Sequence, residues 1–318
     1  MNDLAPTDDV TRIPRMRMIL ETDIFSDVDD VGALAVAHVL ADRGHIDLAA
    51  VSVNTPSVWG PRAAAVVNAF FGRDDVPIGA NFPGTEDEAE VDFARHISER
   101  FAAGKSPRVA PSETVLRRAL AESPDGGVVM TSIGFFGNLV RLLDSGPDDM
   151  CSLSGRDLIR AKVRRTVVMG GTFPAGREFN IASFPHDAAR FVSEWPCEIE
   201  FVGWEVGHDV ITGRATGDSP VGRDPVAAAY QLYTSGRGRP SWDLIAVHVA
   251  AMRTRGLYWY SEPGRVHVGA DGANTFHAEP DGPHRYVKRV ANAVTIAGVL
   301  DEMLHAGPGY VTTEEVHA

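Results

Sequence analysis

Five acidic side chains crowd one short stretch near the start of the chain, between two apolar runs. They are Glu21, Asp23, Asp27, Asp29 and Asp30. Carboxylates this close together repel one another and resist desolvation, so they stay in water, hold protons or share a cation. A bound divalent cation reconciles them at the lowest cost in free energy. Because only oxygen ligands are on offer, the pattern favours a hard ion, Ca²⁺ or Mg²⁺.

The flanking residues predict where this acidic loop lies. Residues 18–20 indicate the end of a buried strand, and residues 30–40 are apolar nearly all round, as in a helix within a core. The acids therefore follow the carboxyl end of a strand, and Asp29 and Asp30 start a helix, where negative charge is tolerated. Open α/β sheets bind ligands at that edge. An EF-hand is excluded, because the loop lacks the required glycine and Leu34 takes the place of its last glutamate. A solvated acidic turn that only caps the helix is the alternative.

The composition limits the class of protein. A chain of 318 residues with 44% hydrophobic content can bury a large core, as one large α/β domain or two small ones. The net charge of −13 argues against nucleic acid or an anionic membrane as partner. Two cysteines, Cys151 and Cys197, make no disulfide framework. We expect a soluble cytoplasmic protein, because the polar N-terminus has no signal-peptide core and no run approaches the roughly 18 apolar residues of a membrane span.

Apolar segments that alternate with helical ones predict an α/β fold with a mostly parallel, doubly wound, Rossmann-like central sheet flanked by helices. We predict one domain at residues 16–307, a flexible arm at 1–15 and a tail at 308–318. Asp23, Asn54, Ser132 and Gly170 follow successive strands, so they should meet at one edge. The predicted strands are 18–20, 47–54, 76–79, 128–131, 166–169 and 198–202, with a hairpin-like stretch at 258–290. The predicted helices are 30–40, 61–71, 86–103, 112–122 with Ser112 as N-cap, 138–143, 186–195, 224–235, 243–254 and 291–305.

Several motifs resemble, in the same order over nearly the whole chain, those of the inosine-uridine-type nucleoside hydrolases. They are Glu-Thr-Asp at 21–23, Asp-Asp at 29–30, Ser-Ile-Gly-Phe-Phe-Gly-Asn-Leu at 132–139, Met-Gly-Gly at 169–171, Glu-Phe-Asn-Ile at 178–181 and Ser-Trp-Asp at 241–243. The stretches at 71–79 and 240–243 are similar to a little-characterised bacterial branch of that family.

This resemblance implies Ca²⁺-dependent hydrolysis of the N-glycosidic bond of a ribonucleoside or a related ribosyl compound. The ion would lie at the carboxyl edge of the sheet and grip the ribose diol and a water. Asp23 would be a metal ligand and the general base that takes the proton of that water. Asp30, Asp243 and the backbone carbonyl of Ile133 would complete the metal ligands.

The resemblance also implies the groups that bind the substrate. Asp29 and Asn180 would bind the ribose 2′ and 3′ hydroxyls, and Glu178 the 5′ hydroxyl. Asn54, at its strand end, is a further candidate for substrate binding. Members of the family commonly form dimers or tetramers, so we expect a homodimer or a homotetramer.

The sequence departs from the family pattern at three places before the last motif. The loop between Asp23 and Asp29 is longer than usual and contains Asp27, which either stays outside the metal ligands or takes over one ligand role. Glu21 stands where the family commonly has aspartate. The segment 171–178 is short and lacks an asparagine that often binds ribose, so Thr172 or Arg177 is the substitute.

Trp242 is the most informative departure. In the purine-accepting branch a histidine precedes the last metal aspartate and protonates the leaving base, and tryptophan cannot supply that proton. Trp242 either stacks on the base or simply packs, and His208 is an alternative acid or a structural residue. Four aromatic residues are candidates for the pocket wall or for the core: Trp59, Phe135, Phe136 and Trp204. Glu205 is interpreted as structural.

Two other functions remain to be weighed. Haloacid-dehalogenase-type phosphatases also open with a strand that ends in acid-x-acid, but Glu21 occupies the position of their nucleophilic aspartate and the downstream lysine and paired acids are missing. The second is a non-hydrolytic protein that binds a ribosylated ligand as a sensor or carrier, or an enzyme for a specialised nucleoside metabolite.

Overall fold

A computed structural model of the protein describes residues 15–87, 89–102, 107–215 and 221–309. Most of the predicted N-terminal arm and C-terminal tail lies outside the described residues, so the predicted domain boundaries stay predictions. Within these ranges no helix is long and apolar enough to cross a membrane.

The strands of the described chain form a large mixed sheet and a separate two-stranded antiparallel sheet. Their order in the large sheet is β4-β3-β2-β1-β5-β6-β8-β14-β12-β13-β7, with β11 beside β14, while β9 pairs with β10. The strands are β1 (Met16–Thr22), β2 (Ile46–Val53), β3 (Ile78–Ala80), β4 (Val109–Pro111), β5 (Val128–Ser132), β6 (Val163–Met169), β7 (Ala175–Arg177), β8 (Ile199–Val202), β9 (Ile211–Arg214), β10 (Arg237–Pro240), β11 (Tyr258–Tyr260), β12 (Gly264–Val268), β13 (Ala273–Ala278) and β14 (His284–Arg289).

Helices cover both faces of this sheet, as the doubly wound prediction requires. One buried apolar cluster is built with α1, α2, α3, α10, α11 and α12, and a second, on the other face, with α4, α5, α6 and α8. The helices are α1 (Asp29–Asp42), α2 (Trp59–Phe70), α3 (Phe93–Phe101), α4 (Ser112–Ala121), α5 (Gly137–Asp144), α6 (Gly155–Lys162), α7 (Phe179–Ser183), α8 (Pro185–Glu194), α9 (Trp204–Gly207), α10 (Pro225–Thr234), α11 (Trp242–Met252) and α12 (Ala293–Leu304).

The run β3-β2-β1-β5-β6-β8 is parallel throughout, and the chain order reverses beside β1. Strands added after β1 extend toward β4 on one side, whereas β5 and its successors extend the other way. A crevice opens beyond the carboxyl ends of the strands at such a reversal, because the flanking loops run in opposite directions. The acidic loop that follows β1 lies at this point. The predicted fold class is therefore confirmed.

Helix α1 is buried on nearly every side, from Asp29 to Leu40. It packs against α11, α2 and α12 as well as β2, which explains why its sequence is apolar all round rather than in one stripe. A buried helix of this kind holds its N-terminal residues, Asp29 and Asp30, at a fixed place below the surface.

Two sequence predictions are wrong in detail. The helix predicted at 86–103 begins only at Phe93, because the acidic residues before it, including Glu86, Asp87 and Glu90, are exposed and have no apolar face to bury; Glu88 lies outside the described residues. Ser112 is the first helical residue of α4 rather than its N-cap, which is Pro111 without a side-chain hydrogen bond. The sequence did not predict several short elements: α6, α7, α9, β4, β7 and the two strands β9 and β10 of the small sheet.

Candidate active site

Two helix N-termini meet beyond the end of β1. Helix α1 starts with Asp29 and Asp30, and α11 carries Asp243 as its second residue. The backbone nitrogen of Asp243 donates to Oδ2 of Asp29 over 3.4 Å. The free backbone N–H groups at both helix starts favour negative charge, so the two segments place carboxylates where the backbone partly compensates them.

These three aspartates form a buried trio. Each offers a carboxylate oxygen, and the three oxygens lie within 4.8 Å of one another. Burial raises the pKa of all three well above the ordinary value, and the negative charges of neighbouring aspartates raise it further. The Thr22 hydroxyl donates to Asp30 and so stabilises its ionised form. A donor set made only of oxygens, concentrated in a buried site, fits a hard divalent cation.

Asp23 lies beside this trio and is 7% exposed. Burial raises its pKa to about 7, and the charges of Asp27 and Glu178 contribute to the rise. By distance, Asp29 completes the trio, although the family resemblance assigns Asp29 to the ribose and Asp23 to the metal. The individual roles of the two residues stay predictions.

The loop after β5 lies directly against Asp23. A Cβ at Gly134 would be 2.6 Å from both the backbone nitrogen and Oδ1 of Asp23, so only glycine permits this approach. The neighbouring carbonyl of Ile133, the predicted neutral metal ligand, accepts from Nδ2 of Asn180 over 3.3 Å. Asn180 also donates to the carbonyl of Met169 over 3.3 Å. One amide thus links the ends of β5 and β6 on the substrate side of the acids.

Glu178 is the N-cap of α7. Its carboxylate accepts from the backbone nitrogens of Asn180 (2.7 Å), Gly171 (2.9 Å) and Ile181 (3.3 Å). Burial raises the pKa of Glu178, and these backbone donors oppose the rise. The glutamate of the Glu-Phe-Asn motif therefore has a structural role in addition to its predicted role at the 5′ hydroxyl.

Glu21 lies fully buried below the site. It accepts from the Ser52 hydroxyl over 2.8 Å and from the side-chain amides of Asn54 and Asn138. Burial raises its pKa to about 8, against the effect of these donors. Asn54 also donates to the carbonyl of Phe135 over 2.8 Å, and its Oδ1 has no hydrogen-bond partner among the described residues. Among the described residues, this buried oxygen is thus the one side-chain polar atom of Asn54 that is left without a partner.

The sequence matches the family described as inosine-uridine preferring nucleoside hydrolase over residues 18–299. The chain belongs to this family. No curated protein matches the sequence at a significant level.

Solved structures share the fold of this nucleoside hydrolase family member at low sequence identity. A plant nucleoside hydrolase, PpNRh1, superposes with a TM-score of 0.66 at 21% identity, covering 92% of this chain and 100% of its own. The inosine-uridine preferring nucleoside hydrolase of Bacillus anthracis gives 0.62 at 19% identity, covering 91% and 99%. The type III effector protein XopQ, solved in complex with adenosine diphosphate ribose, gives 0.64 at 17% identity, covering 93% and 95%.

Trp242 lies half-buried at the rim of the acid trio and is held on several sides. Its indole nitrogen donates to the carbonyl of Trp204 over 2.8 Å, and a Cβ at Gly207 would be 2.6 Å from its ring. The guanidinium of Arg239 covers one ring face, 5.3 Å from the ring centroid. Trp242 is thus a rigid platform with one face already occupied.

The other aromatic candidates separate into pocket mouth and core. Phe136 is fully buried and stacks on Phe191 at 4.8 Å, so it belongs to the core. Phe135 contacts Phe184 at 4.9 Å and Phe179 at 5.8 Å, and both of these rings are at least half exposed at the mouth of the site.

The remaining candidates make contacts of their own. Trp204 is 45% exposed and stacks on His208 at 4.5 Å, while Trp59 is covered by Arg62. The Nδ1 atom of the exposed His208 is 3.2 Å from the carbonyl of Glu205. The Glu205 carboxylate accepts from the backbone nitrogen of Phe173 over 3.1 Å, in line with the structural interpretation.

The structure shows the contacts of three residues whose roles the sequence leaves open. Asp27 pairs with Arg239, which the sequence analysis did not single out. Arg177 is exposed on β7 and donates to the carbonyl of Asp271 over 3.0 Å, so it is not placed to replace a ribose-binding asparagine. The backbone of Thr172 is bound on both sides by the side chain of Asn274, at 2.9 Å each.

Gly134→Ala should destabilise the protein by about 1–3 kcal/mol, because the new methyl group meets the backbone of Asp23, which cannot turn aside as a side chain can. Thermal unfolding of the purified variant measures this. Gly137→Ala is the matched control, since its Cβ would meet first the end of the Asp187 side chain, at 3.3 Å. Equal melting temperatures for both variants would show that the approach to Asp23 tolerates a side chain.

Proposed function

We propose that the protein hydrolyses the N-glycosidic bond of a ribonucleoside or a related ribosyl compound, releasing ribose and the base, with Ca²⁺ as its cation. The observation that carries the proposal is the buried trio of Asp29, Asp30 and Asp243, with Asp23 beside it, at the reversal point of a nucleoside hydrolase fold. Asp23, Asp30, Asp243 and the Ile133 carbonyl are the proposed ligands.

Calcium is preferred over magnesium because of the donors available. Ca²⁺ accepts six to eight oxygen ligands in flexible geometry, including carboxylates and backbone carbonyls, whereas Mg²⁺ demands a near-ideal octahedron and keeps several waters. Carboxylates from two helix starts and one strand end, together with a loop carbonyl, offer several of the oxygen types that Ca²⁺ accepts. When bound, the cation neutralises the acids and lowers the pKa of an attacking water.

The residues around the sugar carry the rest of the reaction. Asp23 accepts the proton of the attacking water and must be ionised to do so; burial opposes that form, and a cation bound beside it would favour it. Cleavage of the C–N bond builds positive charge on the ribose ring, which the surrounding carboxylates stabilise. Asp29 and Asn180 hold the 2′ and 3′ hydroxyls, Glu178 holds the 5′ hydroxyl, and Asn54 contributes to substrate binding from the end of β2.

The leaving base is proposed to stack on the face of Trp242 that Arg239 does not cover. An indole has an N–H donor and no acidic proton to give, and the N–H of Trp242 is already bound to the carbonyl of Trp204. The base therefore takes its proton from water or from another residue, or it leaves as an anion. Bases that are good leaving groups should be the better substrates.

The second candidate function is binding of a ribosylated ligand without turnover. It is favoured by Trp242, which stands where purine-accepting relatives have a proton-donating histidine, and by the shared fold of XopQ with its bound adenosine diphosphate ribose. The homodimer or homotetramer expected from the family stays a prediction.

Ribose release from a panel of ribonucleosides should require a divalent cation. Treatment with a chelator should abolish turnover, because the buried carboxylates then repel one another and hold protons, and added Ca²⁺ should restore it. A reducing-sugar assay measures the product. Tight nucleoside binding without any ribose release would instead support the binding protein.

Asp23→Ala should lower kcat by at least about 100-fold, the usual contribution of a general base. The loss should leave the melting temperature close to that of the wild type. Asp125→Ala, at a side chain that is 80% exposed, is the control. Turnover of the Asp23 variant near the wild-type rate would remove Asp23 as the base.

Trp242→Ala should weaken binding of intact nucleosides roughly tenfold or more, because aromatic stacking on a base is worth about 1–3 kcal/mol. Binding of free ribose should change much less. Isothermal calorimetry with both ligands gives the comparison, and Trp259→Ala, at a 67% exposed tryptophan of β11, is the control. Equal weakening of nucleoside and ribose would exclude stacking on the base.

A further inference from the structure

An ion pair connects the two segments that supply the acids. Arg239 Nε donates to Oδ1 of Asp27 over 3.0 Å, and its Nη2 donates to Oδ2 of the same carboxylate. Both side chains are about one-third exposed, at 30% and 29%. A two-point contact between a planar guanidinium and a carboxylate fixes orientation as well as distance.

Each partner of this ion pair lies on a segment that carries acids of the site. Asp27 lies on the loop between Asp23 and Asp29, and Arg239 lies on β10, shortly before Asp243. The two partners are 212 residues apart in sequence. Any change in the distance between these partners therefore changes the distance between the acids that each segment carries.

Arg239 is itself firmly held. Its guanidinium lies 5.5 Å from the ring centroid of Tyr233 on α10 and 5.3 Å from that of Trp242. Strand β10 pairs with β9, where Arg239 is opposite Thr212. The Thr212 hydroxyl also lies 2.6 Å from that of Ser241. Since its surroundings are fixed, the guanidinium can act as an anchor for the more irregular acidic loop.

The ion pair also compensates the negative charge that Asp27 adds beside the trio. Asp27 is a fourth aspartate on the loop that carries Asp23 and Asp29, and the Arg239 guanidinium that contacts it has the opposite charge. The longer loop thus adds an acid beside the trio, and Arg239 neutralises it at close range.

We propose that Asp27 and Arg239 form a positioning pair, which holds the acidic loop at the distance from Asp243 that cation binding requires. The inference rests on the proposed function for the identity of the cation, and it assigns neither residue to the cation itself. It explains why the loop is longer here: the extra length allows Asp27 to reach Arg239.

The test measures Ca²⁺ affinity by calorimetry for the wild type, Asp27→Asn, Arg239→Met and the double variant. If the pair positions the loop, each single variant should bind Ca²⁺ roughly tenfold more weakly, as is usual for residues that orient metal ligands. The double variant should be about as weak as either single variant, because both changes break the same contact.

A purely electrostatic role predicts a different pattern. Arg239→Met would then bind Ca²⁺ more tightly, because a positive charge is lost beside the site. The double variant, whose net charge equals that of the wild type, would bind like the wild type. Either result overturns the proposal.

Two further variants separate position from charge and from general stability. Arg239→Lys keeps the charge but loses the two-point contact, so it should also bind Ca²⁺ more weakly than the wild type. Arg190→Met is the matched control: Arg190 is 30% exposed and makes two 2.8 Å bonds to Asp144, but it joins α8 to α5. Its loss should leave Ca²⁺ affinity unchanged, and an equal loss in both arginine variants would overturn the proposal.

Turnover is measured on the same proteins and tests the proposed function separately. Ca²⁺ binding that follows the expected pattern without nucleoside hydrolysis would refute the hydrolase and leave the positioning pair in place. A wild-type protein that binds no Ca²⁺ would overturn both.

Discussion

The repulsion among buried carboxylates is the constraint around which this site is built. Asp29, Asp30 and Asp243 lie close together out of water, where burial and mutual repulsion both raise their pKa. Elsewhere the same chain buries an acid with a partner: Glu200 contacts Arg165 and Arg253 directly. The trio itself is supported by backbone N–H groups at two helix starts and by the Thr22 hydroxyl. Such partial compensation leaves a site that gains most from a hard cation.

The rest of the fold holds that arrangement against its own repulsion. Helix α1 is buried on nearly all sides and packs against α11, so the two helix starts cannot move apart without opening the core. Below them, Glu21 at the end of β1 draws together Ser52 and Asn54 at the end of β2 and Asn138 in α5. Gly134 allows the loop after β5 to close directly on Asp23. The site is therefore rigid for reasons that lie mostly outside the residues proposed to touch the substrate.

Family membership and fold do not by themselves decide the chemistry. The same architecture occurs in nucleoside hydrolases and in the effector XopQ, so the function depends on particular side chains. Here the informative ones are Trp242, proposed to stack on the base, and the ion pair of Asp27 with Arg239, proposed to hold the acidic loop in place. These two features are adjacent, because the guanidinium of Arg239 contacts the Trp242 ring. Trp242, Arg239 and Asp27 therefore form one connected group of side chains at the edge of the site.

The sequence by itself determined the parallel α/β architecture, the acidic strand end at 21–30 and the family. The alternation of apolar and helical segments and the order of the motifs can both be recognised in the sequence alone. It also predicted that Asp243 would join Asp30 and Asp23 around a cation, although only through the family resemblance, and it assigned Asp29 to the ribose instead. Short elements such as α7 and the true start of α3 were not predictable, because a few residues carry too little periodicity. Only the tertiary structure decided that Asp27 faces Arg239, that Glu178 caps α7 and that one face of Trp242 is covered. Each of these depends on which atoms meet in the folded chain. The presence of a carboxylate or an indole in the sequence does not indicate which partner it will contact.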